Sequence, residues 1–165
     1  MGSTEDQLLR RIRILLVGFM VGLIISGATA FPLPAELRTV CGWVESHGDT
    51  FGWLVPWLGR VRDALNFTEG NYPFLFYGYD WLAFGHLVIA LIFIGPFNDP
   101  VRNVWVLRWG VMACALVIPL ALICGAIRGI PLGWQVIDCS FGVVGIVPLL
   151  VCLRAVKRIE SLRPS

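Results

Sequence analysis

Residues Asp80–Pro100 read DWLAFGHLVIALIFIGPFNDP, and positions 81–97 carry no formal charge. A helix rises about 1.5 Å per residue, so this run is about long enough to cross the roughly 30 Å hydrocarbon core of a bilayer. One ionisable residue, His86, lies inside it. Ionisable residues at membrane depth usually have a functional role. The run therefore predicts a membrane-spanning helix that carries a candidate functional residue.

The composition of the whole chain supports a membrane protein. Of its 165 residues, 57% are hydrophobic, against about 45–50% in ordinary soluble domains. The net charge is only +2, and the basic residues mark the ends of apolar runs instead of forming one patch. This pattern does not suggest a nucleic-acid partner, and we expect none. We expect a single membrane domain, residues 1–165, surrounded by lipid.

Three further apolar runs complete an all-α integral membrane protein of four transmembrane helices. Pro119 interrupts the third helix and predicts a kink, because proline lacks the amide donor. Gly129 and Pro131 follow that helix, and predict its end. The four predicted helices cover residues 12–31, 81–97, 104–127 and 133–157.

The first apolar run has two interpretations. Basic residues precede it and Ala28–Thr29–Ala30 ends it, which is the pattern of a cleaved signal peptide. Against cleavage, the run is long enough to span, and Gly18, Gly22 and Ser26 form a row of small residues on one face. Such rows let a neighbouring membrane helix approach closely. We favour a retained helix.

The segment 32–79 is more polar and predicts an extracytoplasmic cap between helices 1 and 2. Two short helices are indicated, roughly Pro34–Glu45 and Phe51–Leu65. Trp43, Trp53 and Trp57 give them an aromatic side, and tryptophan is typical of helices that lie at the headgroup level. The cap is therefore predicted to be amphipathic and to rest on the membrane. The alternative is a small packed subdomain outside the membrane.

The basic residues predict the orientation. Nine of the thirteen fall on one side of the predicted spans, and basic residues favour the cytoplasmic side. Both termini are therefore predicted to be cytoplasmic, in a multi-pass protein of the cell membrane or bacterial inner membrane. The nine are Arg10, Arg11, Arg13, Arg102, Arg108, Arg154, Lys157, Arg158 and Arg163.

Four polar residues are predicted to lie in the outer half of the bilayer. They are Asp80, His86, Arg128 and Asp138. Ionisable groups at this depth usually pair with one another, so we expect an Arg128–Asp138 ion pair with the other two nearby. Each residue also has a purely structural interpretation. Asp80 would cap its helix, Arg128 would reach the headgroups, Asp138 would hold Arg128, and His86 would bond to a backbone carbonyl.

This polar cluster leaves two classes of function open. The first is a non-enzymatic accessory, binding or transport component, with a membrane partner subunit or a second copy of the chain. The second is a haem- or metal-dependent redox protein or enzyme that uses His86, with His47 as the other candidate ligand. No H-E-x-x-H or C-x-x-C spacing supports a metal site. We favour the first class.

Small residues also predict where helices pack. Gly142, Gly145, Leu149 and Cys152 follow Asp138 on one face of the fourth helix. Faces of this kind pack against another helix. The neighbour is most often a helix of the same chain, although a partner subunit is an alternative.

The predicted orientation can be tested with reporter fusions. Reporters joined after Gln7 and after Ser165 are expected to report the cytoplasm, and one inserted near Gly70 the opposite side, because of the distribution of basic residues. A C-terminal reporter found outside would contradict the orientation. The intact mass of the purified protein decides between a retained and a cleaved first helix.

Overall fold

The computed structural model describes residues 4–48 and 52–163, which form helices joined by short turns. No strand occurs in these two ranges, so the predicted all-α fold class is confirmed. A short 3-10 helix, Pro73–Phe76, lies between the third and fourth α-helices. The α-helices are α1 (Thr4–Ala30), α2 (Leu33–Ser46), α3 (Val55–Asn71), α4 (Tyr77–Ile92), α5 (Ile94–Asn98), α6 (Val104–Ile127) and α7 (Leu132–Leu162).

Four helical stretches are long and apolar enough to cross a membrane. They are α1, the stretch Pro73–Asn98, α6 and α7. Many of their exposed side chains are large and apolar, and Ile127 and Val144 are 74% and 69% exposed. An exposed apolar surface of this kind needs an apolar environment. The prediction of four candidate membrane spans is confirmed.

The helix ends differ from the predicted ones for local reasons. The helix α1 begins at Thr4 and not near residue 12. Its first turn contains Glu5 and Asp6, and negative charges there are stabilised by the positive end of the helix dipole. The predicted helix 81–97 is divided, and α4 ends at Ile92. Pro96 has no amide with which to bond the carbonyl of Ile92, so the helix cannot continue unchanged.

The described turn between α6 and α7 has the predicted form. Gly129 has a φ of +67°, a conformation that glycine adopts without steric cost. The amide of Ile130 donates to the carbonyl of Gly125 at 2.9 Å. This pattern closes a helix C-terminus, so the predicted end of the helix is confirmed.

The chain divides into two compact units. The first consists of Met1–Gly22 and Ile89–Ser165, and the second of Leu23–Val88. The expectation of a single membrane domain stays a prediction.

In the first unit, α6 and α7 pack through small residues. A methyl group built at Gly142 would lie 2.5 Å from the carbonyl oxygen of Cys114, and one at Gly145 would lie 2.8 Å from the Cys114 sulfur. Leu149 and Cys152, further along the same face, are fully buried. The predicted contact face of the fourth span is confirmed, and its neighbour is a helix of the same chain.

The N-terminal part of α1 runs antiparallel to α7 in the same unit. The Cys152 sulfur lies 3.9 Å from the carbonyl oxygen of Ile12, and Ile12 is fully buried. At the ends of the two helices, the Arg163 guanidinium binds the Glu5 carboxylate at 2.7 Å. These contacts bring the beginning of α1 beside the end of α7.

In the second unit, α2 and α3 form a helical pair with a small apolar core. Cys41 and Leu58 are buried in it, and burial raises the pKa of the Cys41 thiol. At the surface Arg62 binds Glu45 at 3.1 Å. Both helices of the predicted cap therefore exist. The predicted start of the second one, at Phe51, lies outside the described residues.

The contact of α1 within the second unit is made by Gly27. A methyl group at Gly27 would lie 2.8 Å from the carbonyl oxygen of Ala83, which is fully buried. At Gly18 and Gly22 a methyl group would meet no described atom within 4 Å. Gly18 and Gly22, two members of the predicted row, therefore make no close helix contact among the described residues. Gly27 lies about 140° around the helix from Gly22, at about 100° per residue.

These contacts make the glycines of the chain distinguishable by substitution. Gly142→Ala and Gly27→Ala are expected to lower the melting temperature in detergent, because overpacking typically costs about 1–3 kcal/mol. Gly18→Ala and Gly22→Ala are the matched controls, and they should leave stability unchanged or raise it, since alanine favours helix by about 1 kcal/mol. Equal effects at all four positions would contradict the described contacts.

Candidate functional site

Asp138 lies on the face of α7 that packs on α6. It follows Gln135 by three residues and precedes Gly142 by four, which is the spacing of one helix face. Gln135 opposes Gly125, and Gly142 opposes Cys114. Between Cys114 and Gly125 the helix α6 has only apolar side chains and no charge. The carboxyl group is therefore placed on a helix contact face that offers it no partner.

The polar side chains on this face differ in their bonding. Gln135 is buried, and its Nε2 donates to the carbonyl of Ile130 at 2.7 Å. Asp138 is half-buried, and its carboxylate has no hydrogen bond or ion pair with any residue in the described ranges. A carboxyl group at membrane depth without a partner is costly. Asp138 is therefore a candidate functional residue of the first unit, because no described contact explains its presence on this helix face.

Arg128 follows α6 and is exposed. Its backbone amide donates to the carbonyl of Cys124 at 2.9 Å. Its guanidinium forms no ion pair within the part of the chain that the structure describes. The structure thus does not form the expected Arg128–Asp138 pair, although both residues belong to the same unit.

His86 and Asp80 lie on α4, in the other unit. The ring Nδ1 of His86 lies 2.8 Å from the carbonyl oxygen of Leu82. Because a carbonyl oxygen only accepts, Nδ1–H donates this bond, and Nε2 remains available to bind a ligand. His86 packs against Gly27 of α1. A methyl group built at Gly27 would lie 3.0 Å from the His86 Cβ.

Asp80 has a different position on α4. It is exposed in the first turn of the helix, where a carboxylate is stabilised by the positive helix end. His86 is six positions further along the helix, so the two side chains point about 120° apart around its axis. Asp80 and His86 belong to one unit, and Arg128 and Asp138 to the other. The convergence of all four stays a prediction.

His47, the second candidate ligand, lies just after α2. It is exposed, its ring stacks on Trp43 with centroids 4.6 Å apart, and its Nδ1 lies 2.9 Å from the Trp43 carbonyl oxygen. Within residues 4–48 and 52–163, no group of three or more His, Cys, Asp or Glu residues is placed to hold a metal ion. All five cysteines are free.

The structure also brings together residues that the sequence analysis used only for orientation. Arg11 of α1 and Arg154 and Arg158 of α7 line one cavity. The signal in the sequence was that basic residues end both apolar runs on the same predicted side. Antiparallel packing of α1 and α7 places these ends next to each other.

Comparisons with known proteins do not assign a family to this chain. No family model matches it, and neither curated proteins nor solved structures give a significant match.

The relation between Arg128 and Asp138 can be measured with a double-mutant cycle. In the structure the two groups do not interact, so Arg128→Ala and Asp138→Ala should add, within about 0.3–0.5 kcal/mol, in detergent melting. Glu5→Ala with Arg163→Ala is the control cycle. Those residues form an ion pair, so the double variant should be more stable than the sum of the single losses. Coupling at Arg128–Asp138 larger than in the control would contradict the structure.

Proposed function

We propose that the chain is a small multi-pass protein of the cell membrane and acts as a non-enzymatic accessory, binding or transport component. Its four candidate spans support membrane insertion. Nine of its thirteen basic residues fall on the side of the two termini, which supports a cytoplasmic location for both. In this orientation the outer half of the membrane contains Asp80, His86, Arg128 and Asp138.

In the same proposal, α2 and α3 form the extracytoplasmic cap. Charged side chains lie at the surface of this helical pair, where Arg38 contacts Glu69 at 3.7 Å. Trp43 and Trp53 are 52% and 59% exposed. Exposed indole rings beside charged groups suit the headgroup region of a bilayer. The cap then lies on the outer membrane surface.

The observation that carries the function is the carboxyl group of Asp138 on the contact face of α7. It contributes no hydrogen bond or ion pair among the described residues, so it does not hold these helices together. A carboxyl group at this depth binds a positive charge most favourably. The charge is a proton, a cation or a basic group of a partner subunit. These are the ligands of a transport or accessory component.

The variant Asp138→Asn tests this function because it keeps the shape of the side chain and removes the charge. Wild type and variant are reconstituted in vesicles with an internal pH dye, and are also purified in mild detergent to identify partners that co-purify. Asp138→Asn is expected to reduce ion-linked pH change or partner retention at least tenfold. Asp63→Asn, the same exchange on α3, should leave both unchanged. If Asp138→Asn matches wild type in both assays, the proposal is wrong.

A second candidate function is a haem- or metal-dependent protein that uses His86. It is favoured by the bond from His86 Nδ1 to the Leu82 carbonyl, because such a bond commonly orients a metal-binding histidine. The absorption spectrum and metal content of the purified protein separate the two functions. A haem band or a stoichiometric metal that is lost in His86→Ala would replace the first proposal.

A further inference from the structure

An open cavity of about 290 Å³ lies between the beginning of α1 and the end of α7. Both helix segments belong to the first unit, and the Arg163–Glu5 ion pair joins them. The residues around the cavity are of two kinds, basic and apolar. The lining consists of Leu8, Arg11, Val151, Arg154, Ala155 and Arg158.

The basic half of the cavity has an excess of positive charge. The side chains of Arg11, Arg154 and Arg158 are exposed and form no ion pair within the described part of the chain. Arg154 and Arg158 are four residues apart on α7, a spacing at which like charges repel and destabilise a helix. None of the described residues that line the cavity has a carboxylate. An anion bound between these guanidinium groups would remove the repulsion.

The rest of the cavity lining is apolar, and Val151 connects it to the apolar run of α7. The uncharged apolar run of α1 begins at Ile14, three residues after Arg11, and that of α7 ends at Leu153, directly before Arg154. The Cys152 sulfur lies near the Ile12 carbonyl, so the two charged boundaries meet at the same level. This level is where a bilayer changes from hydrocarbon to headgroups. Leu8, Val151 and Ala155 add an apolar wall to the arginines.

We propose that this cavity binds an anionic phospholipid. The phosphate lies among the three guanidinium groups, which bind phosphate through paired N–H donors, and an acyl chain lies along the apolar wall. Basic pockets between membrane helices on the cytoplasmic side bind anionic headgroups in this way. The lipid site rests on the proposed membrane insertion and orientation, and it is independent of Asp138. A free phosphate has the same charge chemistry, but it leaves the apolar wall without a partner.

The test measures the melting temperature of the full chain in an uncharged detergent with added phosphatidylglycerol, phosphatidylcholine or glycerol phosphate. Phosphatidylglycerol should raise it with the logarithm of lipid concentration, as a ligand of the folded state does. The triple variant Arg11→Gln, Arg154→Gln, Arg158→Gln should bind this lipid at least tenfold more weakly. The control triple Arg10→Gln, Arg102→Gln, Lys157→Gln removes the same charge outside the cavity, and should respond like wild type.

Three results would overturn the proposal. Equal stabilisation by phosphatidylglycerol and phosphatidylcholine would show that there is no anion site. Equal losses in the two triple variants would show attraction to overall charge. Stabilisation by glycerol phosphate as strong as by the lipid would show a site for free phosphate.

The triple variant of the cavity arginines should fold, because it removes a repulsion between like charges. If it does not, Arg154→Gln with Arg158→Gln is compared with Arg10→Gln with Lys157→Gln by the same criteria. Failure of the lipid site would leave the Asp138 assays unaffected.

Discussion

The close packing of α6 on α7 is the interaction on which the first unit depends. In a bilayer, apolar side chains gain little by leaving lipid for protein, so helices associate through dispersion and close contact of their backbones. Gly142 meets this requirement because a single added methyl group would lie 2.5 Å from the Cys114 carbonyl oxygen. Gly145 repeats the arrangement at the Cys114 sulfur. The larger residues Leu149 and Cys152 then fill the same face and are fully buried.

This packing limits the partners that are available to a polar side chain on the same face of α7. Gln135 fits because its amide reaches the Ile130 carbonyl, at the turn before α7. Asp138 lies one turn further along the helix, opposite a part of α6 that offers only apolar side chains. The close backbone contact at Gly142 fixes the face of α7 on which the carboxyl group lies. The proposed binding or transport function follows from this conflict between the packing of the helix and the solvation of one side chain.

The basic residues have two roles in the proposals. Their distribution along the sequence supports the orientation of the chain, which depends only on the side of the membrane to which each residue belongs. Their positions in three dimensions support the lipid site, which depends on the packing of the start of α1 against the end of α7. Arg163 is paired with Glu5 there, whereas Arg11, Arg154 and Arg158 surround an open cavity. The start of α1 and the end of α7 are thus joined by an ion pair and also form a candidate anion site.

The sequence by itself determined the number of candidate spans, the all-α class, the turn at Gly129 and the contact face of α7. These features are local, because they follow from apolar run length, from glycine and proline, and from the spacing of small residues on one helix. Only the tertiary structure decided that Gly27, and not Gly18 or Gly22, contacts α4. It also left Arg128 and Asp138 without an ion pair among the described residues, and it grouped three arginines around a cavity. These features depend on how far each helix is rotated about its axis and on which distant segment it meets, and spacing within one helix contains neither quantity.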